Sequence, residues 1–382
     1  MIHPACPTRR RRGFTLVELL VSMALIILVM SILSQAFVEG LTTFRELKAI
    51  GDLQENLRTA TINLRTDLVA PHFDGTRKIS LMNARPTQGY FRITQGAYVN
   101  EGADPDGIPS YRSTTSTLTF TVKRAQSATG VRREGWLSVP LPPPRVANDP
   151  LDLINLLSSK GPVDYREPQT LLSLWTEVAY FLEPMPNTPP VNGVPLFSLH
   201  RRQRLLVDSN TDVNYTASNT TANWSVASFP EVSCRVVTGI PAAPGGLPPL
   251  PGPKTYVHFN IPSEVTNPAN RGFNPAVPLQ SFRAAGVTGR ENDDLICNNV
   301  VSFHIQVLPY GVHNFVNLYD VVPNYRAANA TVAVYETGNP GGTATTTTQG
   351  QNFYRLQAIR ITIRVWDPQT ETTRQVTIVQ DL

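Results

Sequence analysis

The stretch that decides the fold is residues 9–37, which read RRRRGFTLVELLVSMALIILVMSILSQAF. Four arginines precede Gly13, and the segment Phe14–Phe37 then contains one ionisable side chain, Glu18. A helix of these 24 residues, at a rise of about 1.5 Å per residue, is about 36 Å long and spans a hydrocarbon core of about 30 Å. Because basic residues are retained in the cytoplasm, the pattern predicts a single-pass membrane protein whose remaining chain is extracytoplasmic.

Three ordinary interpretations compete for this segment. An uncleaved signal anchor explains everything except Glu18, since a carboxylate within hydrocarbon is costly without a partner. A secretory signal cut before Phe37 fits Ser34-Gln35-Ala36, but the apolar run is long and Glu18 interrupts it. A buried core helix is disfavoured by the length of the run and by its arginine flank.

A fourth interpretation rests on the junction itself. The sequence Gly13-Phe14-Thr15-Leu16-Val17-Glu18 resembles the processing motif of type IV prepilins. The resemblance implies cleavage by a prepilin peptidase after Gly13, methylation of the new N-terminal residue Phe14, and pairing of Glu18 with the terminal amine of a neighbouring subunit. The basic leader is then residues 1–13, with Arg9, Arg10, Arg11 and Arg12 as its anchor.

The chemistry of this junction is consistent with that resemblance. Glycine allows a protease to approach the backbone closely. Cleavage creates an amine close in membrane depth to Glu18, and a charge pair lowers the cost of keeping either ion in an apolar bundle.

The charge of the chain depends on the leader. The 382 residues carry 33 Lys+Arg and 29 Asp+Glu, a formal net charge of +4. Removing residues 1–13 leaves 29 residues of each sign. A neutral mature chain argues against nucleic acid, which binds to a clustered basic face.

An amphipathic pattern follows the apolar segment. Apolar residues and one threonine recur at spacings of three and four, at Leu47, Ile50, Leu53, Leu57, Thr61, Leu64 and Leu68. This periodicity is typical of a helix, and Pro71 stops it. We therefore predict one helical spine over residues 14–70, membrane-spanning in its first half and packed on its own head in its second, with Gly40 and Gly51 as points of weakness.

From residue 71 the pattern changes to the alternation of strands. Apolar residues alternate in segments around Phe120, Tyr180, Phe259, Phe303 and Ile361, and the last of these predicts a C-terminal hairpin that turns at Asp367-Pro368. Proline-rich or low-complexity loops are predicted at 184–195, 240–253 and 337–351. The predicted fold is α+β: a leader (1–13), a helical stalk (14–70) and a β-rich antiparallel head (71–382).

Three segments of the head resemble the minor pseudopilins of type II secretion, in particular the J subunit, and related minor pilins. They are 176–182 with 196–201 (TEVAYFL and LFSLHR), 295–307 (LICNNVVSFHIQV) and 356–367 (LQAIRITIRVWD). The head is longer than is typical of that subunit, and the extra length falls in the loops. The resemblance implies a structural protein in a periplasmic pseudopilus, near its tip, that serves protein export.

Catalytic and cofactor motifs are missing from the sequence. It contains no GxSxG, HExxH or CxxC, and Gly246–Lys254 has prolines where a phosphate loop needs backbone N–H donors. Asp104-Pro105-Asp106-Gly107 is a turn, with a calcium loop as the alternative. We expect no enzyme activity, no metal and no cofactor.

Isolated polar residues of the head are interpreted as solvated. The run His200-Arg201-Arg202-Gln203-Arg204 is basic, and the last hairpin carries further arginines. Both are expected to face solvent at strand ends, with DNA or an acidic partner as the alternative. His258 and His304 lie on the polar phases of strands, where a solvated histidine is the default.

Two cysteines of the head, Cys234 and Cys297, lie in phase with apolar neighbours, so both thiols are expected to face the core. They either form a disulfide, which requires Cα atoms about 4.4–6.8 Å apart, or remain buried free thiols.

The sequence thus predicts a minor pseudopilin or minor pilin of the bacterial inner membrane, with its N-terminus in the cytoplasm and its head in the periplasm. Its partners by resemblance are other pilin-like subunits, the prepilin peptidase, the membrane assembly platform and the lipid bilayer. A type IV pilus subunit for adhesion or DNA uptake is the alternative.

Overall fold

The computed structural model describes residues 15–74, 78–82, 85–103, 109–124, 134–137, 169–185, 190, 193–207, 232–239, 254–271, 293–321, 330–337, 355–368 and 370–382. The chain divides into two compact units. One comprises Met1–Glu55 with Asp367–Glu371, and the other comprises Asn56–Trp366 with Thr372–Leu382. The prediction of a helical stalk and a β-rich antiparallel head is confirmed.

The predicted spine forms one α-helix, α1 (Leu16–Val69), of 54 residues. It ends ahead of Pro71, which has no N–H for the helical ladder. Every residue from Leu16 to Lys48 is exposed, as expected for a segment whose environment is lipid or other helices.

The apolar stripe of the second half is buried only in part. Leu57, Leu64 and Leu68 are buried, whereas Leu47 is 64% exposed. Ile50 and Leu53 are half-buried, and full burial of the predicted stripe begins at Leu57.

Strands account for most of the head residues that the structure describes. Those that the structure describes are β1 (Phe91–Gly96), β2 (Val99–Ala103), β3 (Pro109–Arg112), β4 (Thr117–Lys123), β5 (Glu134–Leu137), β6 (Gln169–Leu172), β7 (Trp175–Pro184), β8 (Phe197–Leu205), β9 (Cys234–Gly239), β10 (Lys254–Phe259), β11 (Asp293–Pro309), β12 (Val332–Glu336), β13 (Leu356–Asp367) and β14 (Thr372–Asp381).

Eight of these strands form one sheet in the order β12-β1-β4-β7-β8-β11-β13-β14. The described residues also contain three two-stranded sheets, β2-β3, β5-β6 and β9-β10. Strand β11 is 17 residues long and pairs with β8 along its first half and β13 along its second, with register shifts between Leu295 and Ser302. Asn299 has φ of 55°, a left-handed conformation that asparagine tolerates at such an irregularity.

Cross-strand partners define two faces of this sheet, because directly opposite residues point to the same side. The front face carries Tyr180 opposite Leu118 and Arg201, and further along it Ile305 opposite Ile361. The back face carries Arg202 opposite Ala179 and Asp293, together with His304, Gln306, Arg360 and Arg364.

The alternating segments predicted as strands correspond to β4, β7, β10, β11, β13 and β14. Strands β13 and β14 are neighbours in the sheet, as the predicted hairpin requires. The three predicted loops, 184–195, 240–253 and 337–351, lie mostly outside the described residues.

Candidate functional site

The predicted cleavage site adjoins the described part of the chain. Gly13, Phe14 and the four arginines Arg9–Arg12 lie outside the described residues, which begin at Thr15. Glu18 is described, in the first turn of α1 and exposed.

Thr15 and Glu18 cap the start of this helix reciprocally. The Glu18 carboxylate accepts hydrogen bonds from the backbone N–H of Thr15 at 2.9 Å and from its hydroxyl at 3.0 Å. The N–H of Glu18 in turn donates to Thr15 Oγ1 at 3.3 Å. This is a capping box, in which two side chains satisfy N–H groups that have no partner within the helix.

Sequence analysis missed the role of Thr15. The signal was present, since Thr15-Leu16-Val17-Glu18 has the Ser/Thr-x-x-Glu spacing of a capping box. Glu18 therefore has hydrogen-bond donors within its own chain. The cost of placing an unpartnered carboxylate in the membrane, which argued for a role in assembly, is correspondingly smaller.

Glu18 also belongs to an apolar surface of the helix. It lines a shallow depression with Val17, Val21, Ser22, Leu25 and Ile26. In the part of the chain that the structure describes, α1 is the one helix long and apolar enough to cross a membrane.

Residues 8–34 match the family model of the prokaryotic N-terminal methylation motif. This match supports a type IV pilin-like protein. The matched segment contains Gly13, Phe14 and Glu18, and the pilin-like motif implies processing by a prepilin peptidase and assembly with other pilin subunits. It points to a structural protein and not to an enzyme. No match was found among curated proteins or among solved structures.

A buried ion pair joins the end of α1 to the front face of the sheet. The Asp67 carboxylate accepts hydrogen bonds from Arg201 Nε at 2.7 Å, Arg201 Nη2 at 3.1 Å and the Tyr180 hydroxyl at 2.7 Å. The Asp67 side chain is 5% exposed and that of Arg201 is 12% exposed. Burial by itself would lower the pKa of Arg201, but the bonds and charge of Asp67 outweigh it and raise that pKa.

The basic run 200–204 is not a solvated surface, so that prediction was wrong. Arg202 and Arg204 are buried on the back face, and Arg202 is paired with Asp293. Arg201 is held by Asp67 and, at 3.1 Å, by Asp294. The alternation of the strand places these side chains against the protein on both faces, so the run presents no exposed basic patch.

The same correction applies to Arg364 of the last hairpin and to His304, whereas Arg374 of that hairpin is exposed, as predicted. Arg364 is buried and contacts Ser110 and Glu101 of the β2–β3 hairpin. His304 is 2% exposed and packs against Tyr98 and Tyr111, with ring centroids 5.6 and 4.8 Å away. Burial lowers the pKa of His304 to about 4. The side chain of His258 is outside the described residues.

Cys234 and Cys297 are buried, as the alternation predicts, and both are free. The disulfide, one of the two alternatives, is therefore not formed. Each position is tied to β8, but at a different point: Cys297 lies opposite Leu199, whereas Val232, just before Cys234, bridges Leu205. Six residues of strand separate those points by about 20 Å, well beyond the reach of a disulfide.

The described residues contain no group of three or more His, Cys, Asp or Glu side chains placed to hold a metal ion. The turn Asp104–Gly107, for which calcium was the alternative, lies outside the described residues.

Proposed function

We propose that this protein is a minor pseudopilin or minor pilin that is cut between Gly13 and Phe14, methylated on Phe14 and assembled through α1 into a short filament serving type II secretion. It is anchored in the bacterial inner membrane before assembly, with its head in the periplasm, and takes a place near the filament tip. The observation that carries this proposal is the methylation motif at 8–34, which overlaps the start of α1, a helix exposed from Leu16 to Lys48.

Glu18 is proposed to accept the terminal amine of a neighbouring subunit. The capping box favours this role because it fixes the carboxylate at the first turn of α1, next to the depression lined by Val21 and Leu25. A carboxylate accepting two hydrogen bonds retains lone pairs for a further donor. A charged amine is the partner that an apolar bundle favours most.

The N-terminus of the mature protein tests processing directly. Mass spectrometry is expected to find a chain that begins at Phe14 and carries an N-methyl group. A chain that begins at Phe37, or an intact Met1, would remove the proposal. A bulky residue in place of Gly13 is expected to block cleavage, whereas Gly13→Ala leaves it intact or only slowed.

Two substitutions separate capping from charge at Glu18. Glu18→Gln keeps the capping-box pattern but removes the charge, whereas Thr15→Val removes the hydroxyl half of the cap and keeps the charge. If Glu18 pairs with an amine, Glu18→Gln impairs co-assembly with partner subunits more than Thr15→Val, and both proteins remain in the membrane. Wild-type assembly of Glu18→Gln would mean that only the cap matters.

Secretion is favoured over adhesion or DNA capture by a pilus because the arginines of the run 201–204 and Arg364 are paired or buried. Deletion of the gene in its own bacterium decides between them. Loss of exported proteins with intact twitching and transformation supports secretion, and the reverse result supports the pilus alternative.

A further inference from the structure

The large sheet ends in a long strand, β14, next to which the described residues place no further strand. Strand β14 is the last in the sheet order and has ten residues, twice as many as β12 at the opposite end. Unpaired N–H and C=O groups along such an edge form a template for another strand.

The hydrogen-bond phase of this edge follows from its pairing with β13. The N–H of Leu382 donates to the Gln357 carbonyl at 2.9 Å, and the hydroxyls of Thr377 and Thr362 lie 3.4 Å apart. Both contacts define one antiparallel register, in which even-numbered residues of β14 bond to β13. Odd-numbered residues, from Thr373 to Asp381, therefore direct their N–H and C=O groups outward.

An independent contact on the other side of β13 agrees with this phase. Val307 of β11 exchanges both backbone hydrogen bonds with Val316 and lies opposite Ile359. Ile359 therefore does not bond to Val307, and its backbone groups point toward β14.

The edge lacks the usual protection against pairing. Residues 372–381 (TTRQVTIVQD) include no proline or glycine, and their only charges are Arg374 and Asp381. Val379 is 50% exposed on this strand. Among the described residues, no backbone hydrogen bond from outside the sheet reaches 373–381, and the nearest joins the Ser80 N–H to the Leu382 carbonyl at 3.3 Å.

We propose that β14 pairs with β14 of a second copy of this chain, antiparallel, about a two-fold axis through Thr377. The outward N–H and C=O groups belong to odd-numbered residues. They find hydrogen-bond partners only in registers that place odd-numbered residues of the two copies opposite each other. Thr377 is the midpoint of residues 372–382, so this register pairs the whole strand.

The side chains of this register are compatible on both faces. Val376 lies opposite Ile378 of the second copy, which continues the apolar front face that Ile361 and Ile363 supply on β13. Arg374 lies opposite Gln380, and Asp381 opposite Thr373, so no like charges meet. Opposite-residue contacts of this kind each stabilise a pair of strands.

The two-fold axis makes a sharp prediction for single cysteines. In a hydrogen-bonded antiparallel pair, Thr377 and Thr377 of the second copy have Cα atoms about 5.5 Å apart, within the range that disulfides tolerate. Val379 lies on the same face and is exposed, but it is opposite Gln375. Val379 of the second copy is then four residues away along the strand, at about 13 Å.

The experiment uses the full-length protein in detergent, in a Cys6→Ser background, with oxidation or a short bismaleimide. Thr377→Cys is expected to give a cross-linked dimer, and Val379→Cys no more dimer than the background. Equal yields from the two variants, or no dimer from Thr377→Cys, would overturn the proposal.

A proline at the axis provides a second readout without cysteine. Thr377→Pro removes an outward N–H and leaves the hydrogen bonds to β13 in place, which is where edge strands accept proline. Sedimentation is expected to show loss of the dimer for Thr377→Pro and its retention for Thr377→Val, with unchanged circular dichroism in both. A folded Thr377→Pro variant that still forms the dimer would contradict the pairing. Processing and methylation at Phe14 are unaffected by either result, so the two proposals fail separately.

Discussion

The Asp67–Arg201 pair should contribute more to the stability of the head than any exposed charge of α1. Asp67 lies in the last turn of the helix, which contains no basic residue. The carbonyl groups at that end disfavour a negative charge. Arg201 and Tyr180 offset this cost with three hydrogen bonds of 2.7–3.1 Å to one carboxylate.

Arg201→Met would remove the two guanidinium donors and leave the buried Asp67 carboxylate with the Tyr180 hydroxyl as the remaining one of these three donors. Removing one partner of a buried ion pair costs about 3–5 kcal/mol. Tyr180→Phe removes one hydrogen bond to a charged group and should cost about 1.5–3 kcal/mol. The double variant Asp67→Leu with Arg201→Met removes both charges and should recover most of the loss.

Urea unfolding of the full-length protein in detergent measures these differences, and hydrogen exchange over residues 56–69 locates them. The matched control is Arg65→Met, two residues from Asp67 and exposed on the same helix. It should change the free energy of unfolding by no more than about 0.5 kcal/mol. The reasoning is refuted if Arg201→Met destabilises the protein no more than Arg65→Met does.

Two further predictions concern buried groups of the head. Burial lowers the pKa of His72 to about 4 despite the nearby charge of Asp67. Between pH 6.5 and 4 the unfolded chain therefore binds a proton that the folded one does not, and about 3 kcal/mol of stability is lost as the pH falls through that window. His72→Asn should flatten this loss in urea titrations at pH 7 and 4.5, whereas substitution of the exposed His313 should not. Burial also raises the pKa of Cys234 to about 12 and that of Cys297 to about 11. Neither thiol should react with maleimide in the native protein, and both should react fully after denaturation without reductant; protection in the denatured protein would reveal a disulfide.

The stalk could be predicted from the sequence because its signals are local. A largely apolar helix of 24 residues needs no partner within the chain, and the Pro71 stop acts on its own neighbours. The positions of the strands could be predicted equally well, because the alternation around Phe120, Tyr180 and Ile361 identifies the apolar face of each strand. The pairing β8–β11–β13 could not be predicted, because 87 residues of chain separate β8 from β11 and 46 separate β11 from β13.

The errors on Arg202, Arg204, Arg364 and His304 share one cause, which is that the back face of the sheet is covered. Alternation identifies two faces, and sequence reasoning assigned the polar one to solvent. In the structure the β2–β3 hairpin lies on that face: the Ser302 hydroxyl donates to the Tyr111 carbonyl at 2.8 Å, and the Ser113 carbonyl accepts from the N–H of Phe303 at 2.9 Å. Arg364 bonds to the same hairpin, and the tyrosines pack on His304.

A buried arginine requires a partner, so carboxylates should lie beside the buried arginines, and they do. Glu101 of β2 binds Arg364, Glu336 of β12 binds Arg271 at 2.7 and 2.9 Å, and Asp293 at the start of β11 binds Arg202. Burial of an arginine without its carboxylate is disfavoured by several kcal/mol. The spacing of acidic residues opposite a basic strand is therefore a usable signal, and Asp293-Asp294 facing Arg202-Arg201 is its clearest case. A strand whose polar phase is arginine-rich, in a chain with an equal number of scattered acids, is better interpreted as covered on both faces than as solvated on one.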